Sequence, residues 1–524
     1  MPQDVRERKG AFFTPQMWVE LSQRYIAFAL GKNWQDDHVV WDCAAGTGNL
    51  LVGLTNKNNI WASTLDKADV DVMHERINHN ANLWANQIFQ FDFLNDEFLP
   101  KSKGGKIPDA LFKIINDAQA RKKLVIYINP PYAEAATTKA KKGTGKNKPD
   151  VAIVHKTNVR YKNFLGKASN ELFTQFMARV YNEIPGCVLA EFSKMKTLQA
   201  PNFKEFRRNF KAKLVKMFVC PADTFDNVKG QFPIGFKIWN LAKSEIFKQI
   251  NADVFDAEGT FSGRKMFRDG VDAKYINDWY RQFYDSTGDE IGVLRNIGTD
   301  FQNVSGCHIS NMDTYNHTSK ITARNLMPAC VYFAVRKVVP ADWLNDRDQF
   351  YYPNDSWKDD TEFQNDCLAY SLFHQNNTVQ SKHGVNHWIP FTEAEVGSRE
   401  RFDSHFMTDF IAGAITPEQS NEWFVREPPA RYGAPRFSAE AQAVFDAGRA
   451  LWRYYFQQRN PNTNASWYDI RQHFKGQSEK GGKTRMNAKS MDAGFNELSH
   501  ILRVAMDTLA KKIEPKVYEH GFLK

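Results

Sequence analysis

Cysteines are few in this chain, and their spacing excludes the usual cysteine-based sites. Six occur among 524 residues, and no two of them form a Cys-x-x-Cys pair. They are Cys43, Cys187, Cys220, Cys307, Cys330 and Cys367. This spacing favours neither a zinc site nor a disulfide framework, and it is typical of buried thiols in a reducing cytoplasm. No metal is therefore expected.

Long hydrophobic runs are also missing. No stretch approaches the ~20 apolar residues that a membrane span needs. No basic segment followed by an apolar one opens the chain, as it would in a secretory signal. We therefore expect a cytoplasmic protein without a membrane partner, with room for two or three domains.

Positive charge is what the chain has in excess. Lys and Arg number 69 against 60 Asp and Glu, for a net charge of +9. This balance favours a polyanionic partner, because cationic side chains release counterions from a phosphate backbone. The charge is densest between Ala133 and Lys167, a Gly- and Thr-containing segment that we interpret as a loop able to contact phosphate groups; a merely solvated loop is the alternative. Its candidates for phosphate contact include Lys139, Lys141, Lys142 and Lys146.

The first half of the chain alternates strand-like and helical stretches, which predicts a mostly parallel α/β sheet. Strands are predicted at 39–42, 60–65, 88–91, 124–128, 187–192, 215–219 and 236–240, the last being the final strand. A helix is expected over Leu50–Leu54. After residue 245 this rhythm fades into a mixed region that extends to about residue 435.

The final segment, 436–524, is predicted to be helical. Val444, Ala447, Leu451 and Tyr455 predict one helix. Phe495, Leu498, Leu502, Ala505 and Leu509 recur at three- and four-residue steps and predict another amphipathic helix, which Pro515 should end. These spacings favour core packing. We therefore divide the chain at residues 245 and 435.

A Gly-x-Gly turn follows the first predicted strand, within the segment Asp42–Asn49. Small residues there let a ligand approach the backbone closely, although the third glycine of a dinucleotide site is missing. Asp66 ends the next predicted strand, where a carboxylate can accept hydrogen bonds from two ribose hydroxyls. The pair Asp92-Phe93 ends the third, and an acceptor beside a ring suits an adenine.

The tetrapeptide Asn129-Pro130-Pro131-Tyr132 follows the fourth predicted strand. Two prolines remove two N–H donors, which leaves the Pro130 carbonyl beside the Asn129 side-chain carbonyl. Two such acceptors can hold both hydrogens of an NH₂ group and polarise its nitrogen towards an incoming methyl group. Tyr132 can stack on the base that carries the amine.

Together these segments resemble the amino-methyltransferases of bacterial restriction–modification systems, specifically the N6-adenine DNA class, over about residues 8–242. The order of cofactor motif, catalytic motif and recognition region is that of the gamma-type enzymes. The resemblance implies a Rossmann-like class I methyltransferase sheet with helices on both faces, followed by a mixed, partly helical target-recognition region at 246–435. It also implies S-adenosylmethionine as cofactor and transfer of its methyl group to a flipped-out adenine.

The resemblance also assigns roles to individual residues. The catalytic residues would be Asn129, Pro130, Pro131 and Tyr132. The cofactor-binding residues would be Phe13, Thr14, Pro15, Asp42, Ala44, Gly46, Gly48, Asn49, Asp66, Asp92 and Phe93. Phe232 would pack against the extruded base. Double-stranded DNA is the expected partner of a monomeric enzyme, and a separately encoded restriction endonuclease is a further partner that the resemblance allows.

Three other interpretations stay open at this point. An Asn-Pro-Pro-Tyr tetrapeptide also suits methylation of a protein glutamine or an RNA base. The Phe-Thr-Pro segment and the basic loop argue against these two substrates. Cytosine N4 fits less well, because that class usually begins its tetrapeptide with Ser or Thr. The third interpretation is a non-catalytic DNA-binding subunit that needs partners. The intact tetrapeptide argues against it.

Overall fold

Two compact units make up the chain. The computed structural model describes residues 13–133, 154–226, 228–270, 272–312, 316–415, 435–479, 481–482 and 484–524. The first unit is Met1–Asp272 with Asp342–Arg347, and the second is Ala273–Ala341 with Asp348–Lys524. The predicted boundaries at 245 and 435 do not coincide with this division: the chain after residue 245 first adds two strands to the first unit, and residue 435 lies within the second unit.

A nine-stranded sheet is the centre of the first unit. Its strands are β1 (Val39–Asp42), β2 (Ile60–Thr64), β3 (Ile88–Gln90), β4 (Leu124–Ile128), β5 (Val188–Lys194), β6 (Lys213–Pro221), β7 (Pro233–Asn240), β8 (Gln249–Phe255) and β9 (Phe261–Arg268). Their spatial order is β3-β2-β1-β4-β5-β7-β6-β8-β9. Pairing is parallel from β3 through β5, whereas β7 runs antiparallel to both of its neighbours.

The first seven strands have the order and directions of a class I methyltransferase sheet, so the predicted Rossmann-like fold class is confirmed. The prediction that β7 is the last strand was wrong. β8 and β9 form an edge hairpin whose side chains are mostly exposed or half-buried. They therefore lack the apolar run that marks a buried strand in a sequence.

Helices cover both faces of this sheet. They are α1 (Gln16–Leu30), α2 (Trp34–Asp37), α3 (Lys67–Asn78), α4 (Asp109–Asn116), α5 (Lys156–Leu165), α6 (Leu172–Glu183), α7 (Lys196–Gln199) and α8 (Lys204–Asn209). Strand β4 shows why helices are needed on both faces, since all five of its side chains are buried. Leu124, Ile126 and Ile128 pack into one core cluster, while Val125 and Tyr127 pack into the other.

The second unit combines a small antiparallel sheet with helices. The sheet contains β10 (Gly292–Arg295), β11 (His308–Ser310) and β12 (Thr318–Ile321), and a hairpin contains β13 (Gln477–Glu479) and β14 (Thr484–Met486). The helices are α9 (Ile276–Tyr280), α10 (Leu326–Val338), α11 (Thr361–Phe373), α12 (Glu393–Val396), α13 (Phe406–Ile411), α14 (Ala439–Phe456), α15 (Trp467–Lys475) and α16 (Ala493–Glu519).

Both predicted C-terminal helices are present, but α16 does not end at Pro515. It continues to Glu519, although Pro515 cannot donate a backbone hydrogen bond. Ile513 and Val517 are 1% and 0% exposed on the two sides of the proline, so packing holds the helix together across it. The backbone N–H of His520 then donates to the Lys516 carbonyl at 2.9 Å.

All six cysteines are free thiols buried in the two units. Burial raises the pKa of Cys187 to about 12 and of Cys330 to about 12. Across the helices of the described ranges, none is long and apolar enough to cross a membrane.

Candidate active site

The loop after β1 turns sharply at two glycines. Gly46 and Gly48 have φ of 52° and 83°, which favours glycine over residues with a side chain. A Cβ at Gly48 would also lie 3.3 Å from the Met73 side chain of α3. The helix predicted over Leu50–Leu54 reduces to one 3₁₀ turn, Asn49–Leu51, because Gly53 adopts a φ of 87° soon after it. The segment is therefore a turn rather than the start of a long helix.

Asp42 is an acid held inside the protein, at the end of β1. It is 1% exposed, and its Oδ1 accepts a hydrogen bond from the Ala44 backbone N–H at 3.0 Å. Burial raises the pKa of Asp42 to about 8, because the charged form is poorly solvated there. This carboxyl group is thus poised to ionise when a cation comes near.

Asp66 and Asp92 follow β2 and β3 at the same edge of the sheet. Asp66 occupies the N-cap position of α3. The Asp92 Oδ1 atom accepts the backbone N–H groups of Leu94 and Asn95 at 3.0 and 3.1 Å, and its Oδ2 accepts from Asn95 Nδ2 at 2.8 Å. These bonds fix the Asp92 carboxylate in place. Phe93 is 2% exposed, and one face of its ring stacks on Phe176 with centroids 5.1 Å apart.

The tetrapeptide lies just beyond β4, at this same edge. Asn129 Nδ2 donates to Thr14 Oγ1 at 2.9 Å, which joins the segment before α1 to the tetrapeptide. The Tyr132 hydroxyl donates to Asn129 Oδ1 at 2.6 Å. Burial raises the pKa of Tyr132 well above its ordinary value, so this hydroxyl keeps its proton. The Tyr132 ring packs edge-on against Phe173, with centroids 6.3 Å apart.

One cavity of about 390 Å³ brings these segments together. Most predicted cofactor residues line it, together with Asn129 and Pro131 of the tetrapeptide; those cofactor residues are Phe13, Thr14, Asp42, Ala44, Gly46, Asn49, Asp66, Asp92 and Phe93. Gly48 lies outside the lining. Pro15 borders a neighbouring hollow that shares Phe13, Thr14 and Asn49 with the cavity. The four segments that were separate in sequence therefore meet at one place.

Of the predicted base and DNA contacts, only Phe232 lies within the described residues. Phe232 is half-buried just before β7 and is not part of the cavity lining. Its carbonyl accepts the backbone N–H of Ala222 at 2.9 Å. Lys139, Lys141, Lys142 and Lys146 lie outside the described residues.

The cavity also contains residues that sequence patterns did not indicate. Asp69 of α3, His155 before α5 and Phe176 of α6 all line it. No motif marks them, because they reach the cavity through the folding of helices that follow distant strands. A further unpredicted contact is the bond from Arg76 Nη1 to Asn49 Oδ1, at 2.8 Å.

The charge of the lining is strongly one-sided. Asp42, Asp66, Asp69 and Asp92 contribute four carboxyl groups, while the described residues of the lining include no lysine or arginine. Such a cavity favours a ligand that carries positive charge. The four residues Asp42, Asp66, Asp92 and Asn129 are fixed by loops at the carboxyl ends of parallel strands, which is where open α/β sheets bind ligands.

Known proteins give only distant matches. No family model and no curated protein matches the chain. Several solved structures match. Three of them are a DrdV–DNA complex (15% identity, 49% of this chain and 29% of that one, TM-score 0.36), the type ISP restriction-modification enzyme LlaBIII bound to DNA (12%, 56% and 24%, 0.34), and the type IIG restriction endonuclease BpuSI (12%, 98% and 67%, 0.36).

This chain thus spans less than a third of the length of the first two of those proteins. At such low identities and TM-scores, the fold is identified from the order and directions of the strands rather than from these matches. The chain has the Rossmann-like sheet of the class I methyltransferases.

Proposed function

We propose that this protein is an S-adenosylmethionine-dependent DNA methyltransferase that modifies N6 of adenine in double-stranded DNA. The observation that carries the proposal is the position of Asn129. Its side chain lies at the wall of the same cavity that gathers Asp42, Asp66 and Asp92. A reacting amine and a cofactor could therefore be held next to each other.

The residues of the cavity fit this cofactor. S-adenosylmethionine carries a sulfonium, an ammonium and a carboxylate group, so its net charge is positive, and it would supply a methyl group that is activated for transfer. Four carboxyl groups and no lysine or arginine in the described lining suit these positive charges. Asp66 would accept from the ribose hydroxyls, Asp92 from the adenine amine, and Asp42 would face the ammonium group.

The chain's own part in the reaction is to position and polarise the target amine. Asn129 Oδ1 and the Pro130 carbonyl would accept its two hydrogens, so that the nitrogen lone pair points towards the methyl group. The methyl group that the cofactor supplies would bond to N6 in exchange for its bond to sulfur, and N6 would then lose one proton to solvent. No base is needed before this step, because the neutral amine is itself the nucleophile.

Tyr132 must move for the target to bind in this way. Its hydroxyl holds Asn129 Oδ1 in the present structure, at 2.6 Å. A target amine would replace that hydroxyl, which frees the ring to stack on the extruded base. DNA is the favoured substrate on the family resemblance, on the net charge of +9 and on the basic segment after the tetrapeptide.

The direct test is to incubate the purified chain with S-adenosylmethionine labelled in its methyl group and unmethylated bacterial DNA, and to identify the labelled nucleoside after digestion. We expect N6-methyladenine. Labelled N4-methylcytosine would instead show that the target base is cytosine and not adenine. Label in RNA or in protein glutamine, or cofactor binding without any transfer, would refute the stand-alone DNA enzyme.

Asp66 should govern cofactor affinity. Hydrogen bonds from the two ribose hydroxyls to a charged acceptor would be lost in Asp66→Asn, so the Kd for S-adenosylhomocysteine should rise about ten- to a hundredfold by calorimetry. Asp71→Asn is the matched control, since Asp71 lies on the same helix but is 59% exposed and pairs with Lys67. Equal Kd values for the two variants would remove Asp66 from the site.

Asp42 should make cofactor binding depend on pH. Its pKa of about 8 means that it is largely protonated at neutral pH, whereas an ammonium group favours the carboxylate. Affinity should therefore rise as the pH increases through about 8, with release of a proton on binding that calorimetry in two buffers can count. Asp42→Asn should abolish this proton release. Release of the same number of protons by the variant would contradict the prediction.

A further inference from the structure

The side-chain amide of Asn95, in the loop after β3, has a fixed orientation. Its Oδ1 accepts the backbone N–H of Lys156 at 2.9 Å, and its Nδ2 donates to Asp92 Oδ2 at 2.8 Å. Two different partners thus distinguish the oxygen from the nitrogen. The second hydrogen on Nδ2 is directed at a third partner, Nδ1 of His155, at 3.0 Å.

This contact determines where the His155 ring carries its proton. An amide nitrogen donates and does not accept, so His155 Nδ1 must be the acceptor. The ring proton is then on Nε2. His155 therefore brings one N–H donor to the site, on the nitrogen that Asn95 does not use.

The position of His155 is also well fixed. It is the residue before α5, and two residues later Thr157 bonds the Leu94 carbonyl twice, from its backbone N–H at 3.1 Å and from its hydroxyl at 2.7 Å. The chain around His155 is thereby fastened to the loop that follows Asp92. His155 and Asp92 both line the 390 Å³ cavity.

An acceptor and a donor side by side match one feature of adenine. Its exocyclic amine is a donor, and the ring nitrogens N1 and N7 on either side of the amine are acceptors. We propose that His155 is a further cofactor-binding residue, whose Nε2–H donates to one of these ring nitrogens while Asp92 accepts from the amine. This inference rests on the proposed function and specifies how the site would recognise its cofactor as an adenine nucleoside.

Binding of S-adenosylhomocysteine, measured by calorimetry, tests the inference without any methyl transfer. His155→Ala should weaken binding about tenfold, the effect of one lost hydrogen bond. His155→Gln should restore most of the affinity, because the Gln side-chain nitrogen can take the place of Nε2. His38→Ala is the control: His38 is a half-buried histidine at the amino end of β1, the end opposite to the cavity loops, and this variant should bind normally.

Analogues of the ligand identify the atom. The 1-deaza and 7-deaza forms of S-adenosylhomocysteine each lack one ring acceptor. One of them should bind wild type about tenfold more weakly and be insensitive to His155→Ala, while the other should remain sensitive. Normal binding by His155→Ala, or an equal loss with all three ligands, would overturn the inference. Failure of wild type to bind any of the ligands would instead refute the proposed cofactor, and the inference with it.

Discussion

Replacing Asn129 with alanine is expected to lower the rate of methyl transfer by about a hundred- to a thousandfold, the usual cost of removing one group that stabilises developing charge. The variant loses the acceptor for the target amine, but it leaves Asp42, Asp66 and Asp92 in place. Its affinity for S-adenosylhomocysteine should therefore change little. Single-turnover transfer to DNA, compared with calorimetric binding, separates the two effects.

Asn129→Asp is the matched control for this prediction. It keeps a side-chain oxygen for the target amine, and the Thr14 hydroxyl can donate to its second oxygen in place of the present bond at 2.9 Å. Asn129→Asp should therefore retain much more activity than Asn129→Ala. Full transfer by Asn129→Ala, or equal losses in the two variants, would exclude Asn129 as the amine acceptor.

The second large effect should come from a buried ion pair beneath the site. Glu191 of β5 and Lys237 of β7 are directly opposite each other in the antiparallel pair, and both side chains are 0% exposed. Nζ of Lys237 lies 3.7 Å from Oε1 of Glu191, and it donates to the Ser193 hydroxyl at 2.6 Å. Replacing Lys237 with methionine leaves Glu191 as an uncompensated buried acid, which should lower the free energy of unfolding by about 3–5 kcal/mol.

The double variant Lys237→Met with Glu191→Gln is the control for charge. It removes both charges, and the Gln oxygen can still accept from Trp239 Nε1, which now lies 3.1 Å from Glu191 Oε1. Urea unfolding should show that this double variant regains most of the stability that the single variant loses.

The deficit of the single variant should also depend on pH. Burial raises the pKa of Glu191, so protonation stabilises the fold at low pH, and this contribution is lost as the pH rises through the folded pKa. The deficit of Lys237→Met should therefore grow with increasing pH. Equal free energies of unfolding for Lys237→Met and the double variant at every pH measured would show that the ion pair does not matter for stability.

Sequence patterns predicted the first part of the sheet closely. β1 and β4 have the predicted bounds, because each is a short, buried, apolar run that ends at a polar residue, Asp42 or Asn129. Parallel strands bring their carboxyl ends to one edge, so the meeting of Asp42, Asp66, Asp92 and Asn129 followed from the strands alone.

Features that depend on tertiary contacts could not be predicted in this way. β8 and β9 lack a continuous apolar run because they lie at an exposed edge, although Ile250, Ala252 and Val254 of β8 alternate with polar residues. Lys237 and Glu191 are charged residues inside strands, and only the register of β5 against β7 reveals that they face each other. His155 has no motif, and its place in the cavity depends on the bonds of Asn95 and Thr157.

The buried thiols provide a way to follow how the two units open. Cys43, Cys187 and Cys220 belong to the first unit, and Cys307, Cys330 and Cys367 belong to the second. Cys43 borders the 390 Å³ cavity, whereas a thiol reagent can reach the other five side chains only when the surrounding structure opens. Labelling at increasing urea concentrations, read cysteine by cysteine by mass spectrometry, would therefore give each unit its own opening free energy. The same experiment with cofactor or DNA added would show which unit each ligand stabilises.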